Sequence, residues 1–196
     1  MKIALLDPGL HAVAGHHYDL DRRLGDALVR LGHEVVIHGH RRLDAGLMAR
    51  SAAAGLPMHA TFQYGPYASP PPSPPGRSAY REMALETARN LADVAEADLW
   101  LWPTLSPYQL AAAMAASFAG RQIGGAWWLP GCFHPEGHAC WVESVRALAD
   151  AGSRIRLGAY DELLCEAYRS LAPDGPMARL PCPHDGAPNA RPPGVL

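Results

Sequence analysis

The stretch KIALLDPGLHAVAGHHYDLDRRLGDALVRLGHEVVIHGH, from Lys2 to His40, determines how the fold begins. It opens with a continuous apolar run, Ile3 to Leu6, which is typical of a parallel strand buried on both faces. Apolar residues then recur at helical spacing from Leu20 to Leu31, and Gly32 supplies a left-handed C-terminal cap. The run VVIHG follows as a second buried strand. This stretch therefore predicts one complete β-loop-α-β unit, whose crossover should be right-handed.

The same alternation of strand and helix patterns continues along the chain. Further strands are predicted at Met58–Gln63, Asp98–Trp102, Gly124–Pro130, Arg154–Tyr160 and Met177–Pro181. Further helices are predicted at Arg42–Ala54, Tyr80–Ala95, Pro107 to near Gly120, Cys140–Ala151 and after a capping Asp161. Six helices between about seven strands predict an α/β fold with a doubly wound, mostly parallel, Rossmann-like sheet.

Composition excludes several classes of function. The 196 residues are 48% hydrophobic and 18% charged, which describes a globular chain with one substantial core. A formal charge of −2 argues against nucleic acid as a partner, and no apolar run is long enough for a membrane-spanning helix. The apolar start is too short for a signal peptide, and the four cysteines form no CxxC pair. We therefore expect a protein of the reducing cytoplasm.

Two proline-rich segments interrupt the alternation. Gly65–Ser78 holds six prolines, and it is either a surface excursion or a flap beside a ligand cleft that presents Tyr64 and Tyr67. From Pro181 onward the chain has five prolines and two glycines, which is a linker composition. We therefore expect one domain over residues 1–180, with 181–196 as an interdomain linker and the start of a further carboxyl-terminal domain.

The glycines of the first loop do not fit dinucleotide binding. That function requires G-x-G-x-x-G after the first strand and an acidic residue at the end of the second. The loop offers only Gly9 and Gly15, and the second strand ends in the basic run His38–Arg42. No P-loop pattern occurs. Classical NAD binding is therefore not expected, and no cofactor is predicted.

Several loops of a parallel sheet should meet at its carboxyl edge, where ligands bind. Gly15, His16 and His17 stand directly before a helix, whose first N–H groups and dipole favour an anion or polar hydroxyls. Imidazole rings can bind hydroxyls and aromatic rings can stack on sugar faces, which suits a carbohydrate or another polyol. The predicted binding residues are Gly15, His16, His17, His11, His40, Tyr64, Glu136 and His138. The histidines could instead bond only within their own loop.

The segment GCFHPEGHACW contains Cys132, His134, Glu136, His138 and Cys140. A histidine at the carboxyl end of a strand, with a carboxylate two residues later, fits a general base or a contact to the acceptor. His134 is therefore the predicted catalytic residue. A zinc site and a purely structural loop stay open as alternatives, although the cysteine and histidine spacing differs from that of known zinc sites and no metal is predicted.

The run from Met1 to His40, with Gly32-His33-Glu34-Val35 after an amphipathic helix, resembles the opening of GT-B-fold glycosyltransferases. The similarity is greatest to the retaining, family 4-like group. It implies an amino-terminal acceptor-binding domain and a carboxyl-terminal domain that binds a nucleotide-sugar co-substrate. Gly15 would lie at the glycine loop near the reaction centre, and His134 in the loop that presents an acceptor-facing or catalytic histidine. Ala14-Gly15 replaces the usual Gly-Gly pair.

The resemblance implies that these 196 residues alone are folded but inactive. Surface left bare by a missing donor domain could also drive formation of a homo-oligomer. Two other hypotheses stay open: a stand-alone binding or regulatory domain, and an unrelated α/β enzyme whose site is the Cys132–Cys140 loop. The residues leave the donor sugar, the acceptor and the stereochemical outcome undecided.

Overall fold

The computed structural model describes residues 1–13, 15–66, 68, 72, 75, 78–94, 96–115, 121–126, 135–150, 155–160, 162–171, 173 and 177–180. Within these residues, seven strands form one sheet and six helices connect them. The strands are β1 (Lys2–Leu6), β2 (Glu34–His40), β3 (Met58–Phe62), β4 (Leu99–Trp102), β5 (Arg121–Ala126), β6 (Ile155–Ala159) and β7 (Met177–Arg179). The helices are α1 (His16–Arg30), α2 (Ala45–Ala53), α3 (Ala79–Leu91), α4 (Pro107–Ala115), α5 (Pro135–Asp150) and α6 (Glu162–Leu171).

The strand order, β3-β2-β1-β4-β5-β6-β7, creates a switch point between β1 and β4. The chain winds outward from β1 to β3 and then returns to β4 on the other side of β1. Leu5 of β1 pairs in parallel with Ile37 on one side and with Leu101 on the other. The predicted α/β class with a parallel sheet is confirmed. Ligands of such folds bind beside the switch point, at the carboxyl ends of the strands.

Two hydrophobic clusters lie on the two faces of the sheet. Ile3 and Leu5 point into a cluster with residues of β2 and α2, whereas Ala4 and Leu6 point into a cluster with residues of β4 to α6. Successive side chains of a strand point to opposite faces, so both faces of β1 are buried. This explains why the first strand is an unbroken apolar run, as the sequence predicts.

Several element boundaries differ from the predictions. Helix α2 begins at Ala45 instead of Arg42, because the Asp44 side chain accepts a hydrogen bond from the Leu47 N–H at 2.7 Å and caps the helix there. Strand β5 begins at Arg121, three residues before the predicted start.

Helix α5 begins at Pro135 instead of Cys140. Proline is favoured at the first helical position because it has no N–H group to leave unpaired. The correction bears on the candidate site, since Glu136 and His138 belong to the first turns of a helix and not to a loop. No helix in the described parts of the chain is both long and apolar enough to cross a membrane.

Candidate functional site

Asp7 directly follows β1 and is fully buried at the carboxyl edge of the sheet. Its backbone N–H donates to the carbonyl of His38 in β2 at 2.9 Å, and its own carbonyl accepts from the Leu10 N–H at 3.0 Å. Its Oδ1 accepts from the Gly9 N–H at 2.8 Å. The β1–α1 loop therefore turns tightly around one carboxylate.

The other carboxylate oxygen of Asp7, Oδ2, contacts His17, one of the predicted binding residues. His17 Nδ1 lies 2.8 Å from Asp7 Oδ2, and His17 is only 8% exposed. Because a carboxylate oxygen can only accept, the ring proton belongs on Nδ1. A Cβ added to Gly9 would lie 2.2 Å from the His17 ring, so the loop can cover the imidazole only with glycine at this position. His17 is thus an anchor of the loop, packed under it.

Asp21 lies one helical turn beyond His17 and is also fully buried. Residues four apart share a helix face, so both side chains approach Asp7 from the same direction. Burial raises the pKa of Asp21 well above its ordinary value, and the charge of Asp7 raises it further. The anchor therefore contains two carboxyl groups and one imidazole. We call Asp7, His17 and Asp21 the buried triad.

Gly15 and His16, which stand directly before His17 in the sequence, are exposed to solvent. Gly15 precedes α1 with a φ of 95°, a value that favours glycine, and no side chain caps the helix there. His16 is exposed, and its ring centroid lies 4.2 Å from that of His17. Of these three predicted binding residues, Gly15 and His16 are therefore exposed, whereas His17 is buried beneath the loop.

The same loop also rests on the end of β2. The His40 N–H donates to the carbonyl of Leu10 at 2.8 Å, and the His11 ring centroid lies 6.4 Å from that of His40. His40 Nδ1 accepts from the Arg42 N–H at 3.0 Å. Burial lowers the pKa of His40, and the Arg42 charge lowers it further. His40 is therefore half-buried beside the exposed His11, and both lie where the β1–α1 loop contacts the end of β2.

A second buried histidine, His38, lies one strand over from Asp7. Its Nδ1 is 3.0 Å from Thr61 Oγ1, and its ring stacks on that of the exposed His59 at 5.4 Å between centroids. Burial, followed by the charge of His59, lowers the pKa of His38 to about 4. His38 thus stays neutral near neutral pH.

Tyr64 and Glu136 occupy another part of the described structure. Tyr64 and Tyr80 both pack against a cluster that contains the buried Tyr108, whose hydroxyl donates to the Gly65 carbonyl. A Cβ on Gly137 would lie 2.9 Å from the Tyr80 ring, so α5 approaches this aromatic group closely. Burial raises the pKa of Tyr80, and the neighbouring Glu136 charge raises it further. Glu136 therefore lies in the same part of the structure as the aromatic group that contains Tyr64 and Tyr80.

His138 lines an open cavity of about 560 Å³ along α5, together with Val142, Glu143 and Arg146. Cys140, on the same helix, lies 3.7 Å from the Pro107 carbonyl, and burial raises the pKa of its thiol. His134, the predicted catalytic residue, is outside the described residues. Within the described ranges, no group of three or more His, Cys, Asp or Glu side chains is placed to hold a metal ion.

Asp7 and Asp21 are not among the site residues that the sequence predicts. Asp7 could have been noticed as the first polar residue after a buried strand, at the edge where ligands bind. Asp21 falls three residues before Leu24 and seven before Leu28, so it shares a face of α1 with apolar residues that should be buried. An acidic residue on such a face indicates a buried partner.

No protein-family model matches the sequence, and no curated protein matches it. Among solved structures, the chain is similar to one described as the glycotransferase of kitacinnamycin, with 17% sequence identity and a TM-score of 0.41. The alignment covers 81% of this chain. The chain spans 45% of the length of that neighbour.

Proposed function

We propose that this chain is the acceptor-binding domain of a GT-B-type glycosyltransferase of the retaining, family 4-like kind. The complete enzyme would transfer a hexosyl group from a nucleotide-sugar to a hydroxyl group of a carbohydrate or another polyol. Two features support this proposal: the resemblance of residues 1–40 to the opening of such enzymes, and a parallel sheet whose switch point lies beside the β1–α1 loop.

The contact between His17 Nδ1 and Asp7 Oδ2 is the observation on which the proposal chiefly rests. A buried, charge-assisted hydrogen bond fixes the loop against the sheet edge. The fixed loop presents the exposed Gly15, His16 and His11 at the amino-terminal end of α1. Backbone N–H and imidazole groups in a rigid arrangement suit an acceptor rich in hydroxyls.

His134 and Glu136 are proposed to act closer to the chemistry, His134 as the catalytic or acceptor-facing residue. The nucleotide-sugar would be held by a carboxyl-terminal domain outside these 196 residues. Transfer requires donor and acceptor to be held together, and this proximity accounts for much of the barrier reduction in such reactions. We therefore expect the 196-residue chain to bind acceptors but to transfer no sugar by itself.

The experiment is a binding screen by NMR. The chain is titrated with a panel of mono- and disaccharides, inositols and glycosides, and the amide signals of Gly9 to His17 are followed. We expect at least one class of polyol to shift these signals. His16→Ala should weaken that binding about tenfold, as expected for loss of a hydrogen bond in a preorganised site.

His33→Ala is the matched control, because His33 lies at the other end of α1, beside the amino end of β2. It should leave binding unchanged. If no polyol shifts the loop signals, or if both variants weaken binding equally, the proposed acceptor site is wrong. Incubation of the chain with UDP-, GDP- and dTDP-sugars tests its inactivity, and robust transfer would contradict that part.

A further inference from the structure

We propose that Asp21 is a positioning residue that keeps its proton at neutral pH, and that its carboxylic O–H donates to Asp7 and thereby holds the Asp7–His17 anchor. The importance of this anchor for acceptor binding rests on the proposed function. The proton itself can be observed without any ligand.

The hydrogen-bond pattern of the buried triad is the first argument. Asp7 already accepts from the Gly9 N–H at Oδ1 and from the His17 ring at Oδ2. In the described part of the chain, no N–H or O–H group of another residue donates to either Asp21 oxygen. Two ionised carboxylates have only acceptor atoms to offer each other. A proton on Asp21 converts this repulsive contact into a hydrogen bond.

The charges around Asp21 are the second argument. The titratable groups next to it are Asp7 from the β1–α1 loop and His17 from its own helix, while β2 contributes the His38 carbonyl that binds the Asp7 N–H. The arginines that follow it on α1 are exposed and pair elsewhere: Arg22 with Asp26 at 3.3 Å, and Arg23 with Asp19 at 3.9 Å. Apart from His17, no basic side chain in the described part of the chain is paired with Asp21. Like charges that share a buried site cannot both stay ionised.

A protonated Asp21 has a consequence for the loop. With a proton on Asp21, Asp7 can accept from Gly9 and His17 without a second carboxylate charge beside it. Ionisation of Asp21 would place two negative charges side by side under the loop and weaken both bonds. The loop should therefore be tight at neutral and acidic pH, and should loosen when alkaline pH removes the proton from Asp21.

The experiment compares two substitutions at Asp21 with one on the exposed side of α1. Asp21→Asn keeps a donor of the same shape without charge, Asp21→Ala removes the donor, and Asp19→Asn is the matched control on the exposed face. The readout is hydrogen exchange of the Gly9 amide, corrected for the intrinsic pH dependence of exchange. We expect Asp21→Ala to accelerate it about tenfold, whereas Asp21→Asn and Asp19→Asn keep wild-type protection.

The pH profile separates a proton donor from a space-filling side chain. Protection of the Gly9 amide should fall at alkaline pH in the wild type and stay constant in Asp21→Asn. In the wild type, the carboxyl ¹³C signal of Asp21 should be that of a protonated acid at neutral pH. A carboxylate signal at neutral pH, or equal loosening by Asp21→Asn and Asp21→Ala, would overturn the inference. A protonated Asp21 in a chain that binds no polyol would contradict the proposed function alone.

Discussion

Two buried histidines, His17 in α1 and His38 in β2, lie near the carboxyl edge of the sheet, and their partners differ in kind. His17 donates to the Asp7 carboxylate, with Asp21 beside it, whereas His38 contacts the Thr61 hydroxyl and stacks on His59. Burial beside Asp7 raises the pKa of Asp21 and so favours its protonated form. Burial lowers the pKa of His38 to about 4 and so favours its neutral form. The same sheet edge therefore combines two groups whose effects on stability depend on pH with opposite signs.

The largest effect is expected from Asp7→Ala. This substitution leaves the Gly9 N–H and the His17 Nδ1 proton without their buried acceptor, and it should reduce the free energy of unfolding by about 3–5 kcal/mol. Urea unfolding at neutral pH measures it. Asp98→Ala is the matched control, because Asp98 binds the N–H of Lys2 at the exposed other end of β1. That control should lose less than about 1 kcal/mol, and equal losses would mean that Asp7 is not an anchor.

Acid should lower the free energy of unfolding of the protein through His38. A histidine whose pKa is lowered in the folded state binds fewer protons there than in the unfolded chain. Its contribution is fully present above about 6.5 and is lost as the pH falls to about 4. The loss should reach about 3 kcal/mol. His38→Leu should remove this pH dependence, measured by unfolding at a series of pH values, whereas His33→Leu should keep it.

Asp21→Asn tests whether Asp21 changes the free energy of unfolding with pH in the direction opposite to His38. A carboxyl group whose pKa is raised in the folded state stays protonated there at pH values at which the same group is ionised in the unfolded chain. The wild-type free energy of unfolding therefore falls, relative to Asp21→Asn, as the pH rises above about 4. The slope should be at most about 1.4 kcal/mol per pH unit, and Asp21→Asn should be the more stable protein at neutral pH. A wild type that gains stability relative to Asp21→Asn over this range would contradict a protonated Asp21.

The sequence predicts the strands, helices and turns better than the candidate site, because these elements depend on local patterns. The apolar run of β1, the helical spacing of α1 and the turn at Gly32 are each determined by neighbouring residues. The sequence pattern predicts the start of α5 at Cys140, five residues late, because the histidines and cysteines before it are typical of a loop unless Pro135 is taken as the first helical residue.

The site depends on contacts that no local pattern contains. The order of residues before α1 identifies Gly15 and His16 as candidates. The role of His17 as a buried anchor follows only when β1 and α1 are packed, because Asp7 lies ten residues away along the chain. Asp21 lacks any motif, and its importance comes from full burial beside another carboxyl group.

The smallest effect on stability is expected from Thr61→Val, which tests the contact between His38 and Thr61. Valine preserves the shape of threonine but removes the hydroxyl that lies 3.0 Å from His38 Nδ1. A buried ring nitrogen then has no partner in Thr61, so the free energy of unfolding should fall by about 1 kcal/mol at neutral pH. Thr61→Ser keeps the hydroxyl and loses only a methyl group, so a titration of the His38 ring by NMR should match the wild type in this variant. If Thr61→Ser is as unstable as Thr61→Val and shifts the titration equally, His38 is positioned by its stacking on His59 and not by the hydroxyl.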